Sequence, residues 1–276
     1  MTKLQDVPAL RVVPVENLVL HEETDPHRIE RLMQRIHEDG LLKNPPAVAP
    51  MSEADHYVVL DGANRTAALA GLGVRDAVAQ VVDYSEVRLD TWNHLVVGMD
   101  SRALFEAIRA IHGTGVRSTD LETARRLWHE RAILAYVVGR EGEVHIIEAG
   151  QNLQQNAELL VEMSSIYRGE ATIYRVQTDD TGELRTYYDD VAATIVYPPF
   201  QPADILHLAS NSAKLPTGVT RHIIPRRALR VNIDLEFLAE DRPLAEKNEW
   251  LQTWLRQKLQ NKEVRYYEEP TFLFDE

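Results

Sequence analysis

Ile29, Leu32, Met33 and Ile36 recur at i, i+3, i+4 and i+7, so they lay one apolar stripe along a helix. Asp25-Pro26 in front of them has the form of an N-cap and first helical residue, and Gly40 stops the pattern. Upstream, RVVPVENLVL (11–20) reads as a short strand and turn, followed by HEETDP as a loop. A break at Lys43-Asn44-Pro45-Pro46 leads to AVAP, the turn-rich MSEAD and the strand HYVVL. A helix from about Asn64 stops near Gly71 or Gly73, and DAVAQVV reads as a further strand. Short strands alternating with two helices make a small α/β unit.

The rest of the chain is a mixture. RALFEAIRAI has helical spacing and GTGVRS breaks it; Thr119-x-x-Glu122 is a capping-box pattern for a helix through Trp128. AILAYVV and EVHIIEA flank Gly139–Gly142 as a hairpin. A helix over about 153–166 and a second hairpin around Asp179-Asp180-Thr181-Gly182 follow. PADILHLA predicts a short helix, TRHII and ALRVNIDL two strands, and NEWLQTWLRQKLQ an amphipathic helix, before VRYYEEPTFLF closes the chain. The expected class is α+β, with a small α/β domain over 1–84 packed on a larger α+β domain over 85–276.

Composition narrows the setting. The 276 residues, 44% apolar and 26% charged, suit a soluble globular protein of two domains. No apolar run approaches the ~20 residues of a membrane span, and MTKLQDVPALRVVPVENL lacks a secretion signal's apolar core. The expected location is the cytoplasm. With no cysteine, thiolate metal sites, disulfides and a cysteine nucleophile are excluded. A net charge of −13 makes the chain a poor general nucleic-acid binder. Its one dense basic stretch, RHIIPRRALR (221–230), reads as a strand with a solvated basic face.

One stretch carries chemistry. In VVLDGANRTAALAGLG (58–73) an apolar strand ends at Asp61-Gly62 and a helix opens on Ala63-Asn64-Arg65-Thr66. The first N–H groups of a helix lack internal partners and its dipole makes that end partly positive, so such a turn suits an anion. Gly62 permits close approach and Arg65 adds a charged fork. An ordinary turn with a solvated arginine is the alternative. HExxH, Cys–His clusters and GxxxxGK[ST] are all missing, which argues against a transition-metal enzyme or a P-loop kinase.

The order strand, HEE loop, helix, strand, DG-x-x-R, helix resembles the ParB/sulfiredoxin superfamily, in which an arginine-containing turn at a helix start binds nucleotide phosphates. The sulfiredoxin cysteine is missing, as are the helix-turn-helix and basic region of partition proteins. VPVENLVLHEETDP, HYVVLDGANRTAALAGLG, DTWNH and LPTGVTRHII resemble, in the same order, segments of the free L-serine kinase branch, including the serine kinases of siderophore biosynthesis. Asn64 departs from that branch, which often has a histidine there; asparagine keeps hydrogen-bonding capacity but cannot titrate.

The resemblance implies phosphoryl transfer from ATP or ADP to free L-serine, giving O-phospho-L-serine. Residues 61–66 would grip the phosphates, with Asp61 as a direct or water-mediated Mg2+ ligand. Glu22 would be the general base, with Asp61 as runner-up; otherwise Glu22 and Glu23 are solvated loop acids before a helix. Thr220, Arg221 and His222 would take the amino acid's carboxylate, unless they lie on a strand facing water. Trp92 and His94 would wall the site, although a tryptophan at such spacing is more often core. A homodimer stays open. So do two rivals, a ParB-like nucleotide-binding transcriptional regulator and a non-catalytic ligand sensor.

Overall fold

The computed structural model describes residues 7–53 and 55–267. The chain forms two compact units: one takes the chain up to Val19, Asp25–Val87 and the chain from Ile224; the other takes Leu20–Thr24 and Arg88–Ile223. The boundary at 87/88 lies close to the expected cut at 84/85, but the last stretch of chain returns to the first unit, which no single cut describes.

The first unit begins with β1 (Leu10–Pro14), a 3-10 turn, and β2 (Leu18–Leu20). Helix α1 (Pro26–Asp39) starts where expected, because the Asp25 carboxylate accepts from the His27 and Arg28 N–H groups, and it ends on left-handed Gly40. After β3 (Leu41–Leu42) come β4 (Ala47–Pro50), β5 (Tyr57–Asp61), α2 (Ala63–Gly71) and β6 (Asp76–Val81). The five-stranded sheet has the order β1-β6-β4-β5-β2, with β4 and β6 parallel and β1/β6 and β4/β5 antiparallel. Its central strands are small and β-branched, and Ala47, Val48, Ala49, Ala77, Val78 and Ala79 are fully buried. Helix α1 packs on α2.

The second unit carries β7 (Arg88–Thr91), β8 (Asn93–Val97), α3 (Ser101–Arg109), β9 (Val116–Thr119), α4 (Leu121–His129), β10 (Ile133–Gly139), β11 (Val144–Glu148) and α5 (Leu153–Ser165). Then follow β12 (Thr172–Val176), α6 (Thr181–Leu184), β13 (Val191–Val196), α7 (Pro202–Ser210) and β14 (Thr220–Ile223). A six-stranded antiparallel sheet runs β12-β8-β13-β10-β11-β9, and β14 pairs with β7 as a separate ribbon. Ala124 of α4, with Leu121, Leu127 and Trp128, covers Ile133, Tyr136, Val138, Val144, Ile146 and Val196.

Three local expectations need correction. The cap of α4 is Asp120, whose carboxylate takes the Thr123 N–H, because Thr119 is already spent as the end of β9. The stretch around Asp179–Gly182 is no hairpin: Asp180 caps the helical turn α6, and β12 and β13 each pair with β8 instead of with each other. RHIIPRRALR is not a continuous strand, since β14 stops at Ile223 before Pro225, and in ALRVNIDL only Ile233–Asp234 (β15) pairs, with β3.

Back in the first unit, α8 (Leu235–Ala239) lies against β6 and α9 (Leu244–Gln260) against β1. The expected amphipathic helix is longer than NEWLQTWLRQKLQ and buries Lys247, Leu251 and Leu255. Of the closing segment VRYYEEPTFLF, residues 264–267 have no regular structure and the remainder lies outside the described residues.

Candidate active site

In the first unit the expected phosphate residues form one strand-to-helix turn. Asp61 ends β5, and Gly62, at φ +99°, turns the chain into α2. A side chain at Gly62 would be cramped: a β-carbon there would sit 3.0 Å from Arg65 Nη1 and 3.2 Å from Pro46 Cα, so its neighbours would have to shift. Where α1 satisfies its first turn with the Asp25 carboxylate, α2 opens without a side-chain cap. A helix start with no side-chain cap, at the positive end of the dipole, is what an anion needs.

The neighbours of that turn are well defined. Asn64 Oδ1 accepts the Asp25 N–H at 2.9 Å, so this side chain ties the start of α2 to the cap of α1. The Thr66 hydroxyl is buried without a hydrogen-bond partner. Arg227, which the sequence presented as part of a solvated basic face, donates to Asp61 Oδ2 at 2.7 Å and the Pro45 carbonyl at 2.6 Å, and also reaches Gln80 Oε1. Asp61 is therefore an oriented carboxylate, still half exposed. Among the described residues no group of three or more His, Asp or Glu side chains is placed to hold a metal ion.

In the second unit Glu22, Trp92, His94, Thr220, Arg221 and His222 gather round the segment 218–222. The HEE segment pairs with Leu215, whose N–H donates to the His21 carbonyl and whose carbonyl takes the Glu23 N–H, both at 2.8 Å. That pairing delivers Glu22, 9% exposed, into a cage of donors. Glu22 Oε2 accepts the Gly218 N–H at 2.8 Å; Oε1 accepts the Thr220 N–H at 2.7 Å and the Thr220 hydroxyl at 2.5 Å. With its one proton committed to Glu22, the Thr220 hydroxyl receives the Nε2–H of buried His21 at 2.9 Å. The His222 ring meets the His21 ring edge-on, 5.3 Å between centroids. Glu23 is paired separately with Arg168 at 2.7 Å.

Beside the cage, the Arg221 guanidinium stacks on the Trp92 ring at 4.4 Å, and the Trp92 backbone N–H donates to the Val219 carbonyl. Asp90, opposite Arg221 in the β7/β14 ribbon, stands 4.0 Å from it. His94 faces away from solvent at 3% exposure. Its Nδ1 lies 2.9 Å from the Tyr167 hydroxyl, and burial, followed by the Arg175 charge, lowers its pKa to about 4. It is a neutral buried imidazole with the Tyr167 and Tyr197 hydroxyls beside its Nδ1.

Sequence reasoning missed Gly218, Arg227 and Asp90. Gly218 and Arg227 had a faint signal: a glycine in LPTGVT, and a proline interrupting the basic stretch. Asp90 had none.

The fold is that of the free serine kinases. A solved structure described as a free serine kinase in complex with AMP superposes with a TM-score of 0.70 at 18% identity, covering 86% of this chain and 98% of its own. No family model matches the chain. The curated ATP-dependent L-serine kinase SbnI of Staphylococcus aureus is 24% identical over 97% of both chains. The ATP-dependent L-serine kinase of Staphylothermus marinus is 25% identical over 82% of this chain and 90% of its own. Likeness in sequence and in fold converges on the L-serine kinase branch.

Proposed function

We propose that this protein is a free L-serine kinase that moves a phosphoryl group from ATP or ADP to the serine hydroxyl. The observation that carries the reading is the Glu22 carboxylate, both of whose oxygens are fixed by the Gly218–Thr220 backbone. A loop acid with no task has no need of such a cage. The same reading explains the uncapped start of α2, where Gly62, Ala63, Asn64, Arg65 and Thr66 would receive the donor's phosphates.

In the reaction, the serine oxygen forms a bond to the terminal phosphorus while the bond from phosphorus to the bridging oxygen breaks. The hydroxyl proton passes to Glu22, and ADP or AMP leaves. The Trp92-stacked Arg221 would pair with the substrate carboxylate, helped by His222, whereas Thr220, expected there too, has both its donors on Glu22 and so holds the base instead. Asp61 is a single oriented carboxylate, which fits Mg2+ held chiefly by phosphate oxygens and water. When bound, the ion would neutralise phosphate charge. Relatives described as ATP-dependent L-serine kinases support this reading of the substrate pair.

The test is incubation with L-serine, Mg2+ and either ATP or ADP, with phosphoserine read by mass spectrometry; threonine and homoserine compete as acceptors. Phosphoserine should form in the wild type and be abolished in Glu22→Gln, with nucleotide affinity largely kept. Equal turnover in that variant removes Glu22 from the mechanism, and no product from the wild type rejects the kinase reading.

A further inference from the structure

The cage around Glu22 is unequal at its two oxygens. Oε1 accepts two hydrogen bonds, from the Thr220 N–H at 2.7 Å and the Thr220 hydroxyl at 2.5 Å, whereas Oε2 accepts one, from the Gly218 N–H at 2.8 Å. A carboxylate oxygen has two lone pairs, so Oε1 is full and Oε2 keeps one acceptor site. Glu22 makes no ion pair among the described residues; Arg168 pairs with Glu23. Neutral donors thus hold the carboxylate without a cation competing for its charge.

The direction of the chain behind Oε1 follows from counting protons. An ionised carboxylate only accepts, so the Thr220 hydroxyl proton points at Oε1. The threonine oxygen then has only lone pairs to offer His21, 2.9 Å away, and His21 Nε2 must donate. The imidazole is fixed in its turn: it is 2% exposed, its ring meets the His222 ring edge-on, and its backbone carbonyl takes the Leu215 N–H. The chain therefore runs one way, from imidazole to hydroxyl to carboxylate. It cannot carry a proton away from Glu22, because His21 Nε2 already bears one. What it can do is hold the Thr220 hydroxyl on Oε1 and keep that oxygen from turning toward a substrate.

We propose that His21 is a positioning residue for phosphoryl transfer: its hydrogen bond locks the Thr220 hydroxyl onto Glu22 Oε1, which leaves Oε2 as the oxygen that takes the serine proton. The inference rests on the kinase reading. In the step, the serine O–H bond breaks and its proton joins Oε2, while the serine oxygen bonds to phosphorus and the bridging oxygen leaves. A misplacement of the base by about 1 Å can cost about 100-fold in rate, and a carboxylate free to swing part of the time should lose less than that.

The test compares Thr220→Val, His21→Phe and His21→Gln in the full chain, with kcat and KM for serine measured by phosphoserine formation and folding checked by thermal melting. Thr220→Val keeps the backbone donor and removes the hydroxyl, so it should lower kcat about tenfold with KM for serine within about 2-fold. His21→Phe should lower kcat about 3- to 10-fold. His21→Gln, whose amide can donate to the same hydroxyl, should recover most of that loss. In a Thr220→Val background His21→Phe should lower kcat no further, whereas a general structural defect would multiply the two losses. In a crystal structure with L-serine and AMP bound, the serine hydroxyl should lie against the Glu22 oxygen held by Gly218. A folded Thr220→Val or His21→Phe with wild-type kcat, a main effect on KM, multiplied losses in the double variant, or a glutamine no better than phenylalanine overturns the proposal. So does a serine hydroxyl on the oxygen held by Thr220. If His21→Phe does not fold, the Thr220→Val kinetics and the serine complex decide it on the same terms. No phosphoserine from the wild type rejects the kinase reading and this role together, whereas wild-type turnover with unaffected variants rejects this role alone.

Discussion

At the scale of single residues, the positions that bear on chemistry are those where backbone and charge leave no alternative. Gly62 is one: its left-handed φ and its contact distances to Pro46 and Arg65 both disfavour a β-carbon. Gly73 shares a positive φ, +68°, but has nothing within 4 Å of the place a methyl group would take. Gly62→Ala should therefore weaken ADP binding about tenfold by calorimetry, a change of about 1.4 kcal/mol, while Gly73→Ala costs only backbone strain and keeps affinity. Equal affinities in both variants would detach Gly62 from the nucleotide. The Gly62–Thr66 turn was legible because strand, glycine and helix start are contiguous. Gly218 and Arg227 were not, because their partners are 196 and 166 residues away in sequence and only folding brings them near.

At the scale of elements, local rules carried as far as local interactions decide. Asp25, Pro26 and Gly40 bound α1 as read, since capping is settled within four residues. The 179–182 stretch failed because β8 offers two free edges, and it draws β12 and β13 to opposite sides of itself. Helix α9 carries an ionic device the pattern hid: Lys247 Nζ, with no exposure, lies 2.7 Å from Asp76 Oδ2 at the start of β6 and 2.8 Å from the Leu238 carbonyl. Removing one partner leaves the other charge buried, so Lys247→Ala should cost about 3–5 kcal/mol in denaturant unfolding. The pair Lys247→Met with Asp76→Asn should lose less than the sum of its single changes. A cost below about 1 kcal/mol for Lys247→Ala would show that the ion pair is incidental.

At the scale of the whole molecule, the chain is not read in the order in which it is written. With no linker to mark a boundary, the sequence suggested one cut at 84/85, yet the contacts assign the chain from Ile224 to the first unit. The reason is physical: β1 is an edge strand, and an open edge invites mispairing. Asn248 of α9 closes it like a strand would, its Oδ1 accepting the Val12 N–H and its Nδ2 donating to the Val12 carbonyl, both at 2.9 Å. A helix that seals a sheet edge and neutralises Asp76 should open only with that sheet. In native-state hydrogen exchange, amides of α9, β1 and β6 should then share one opening free energy, and Lys247→Ala should speed all three together. If α9 instead exchanges at a far lower free energy than β1 and β6, as a frayed terminal helix would, then it decorates the first unit without completing it.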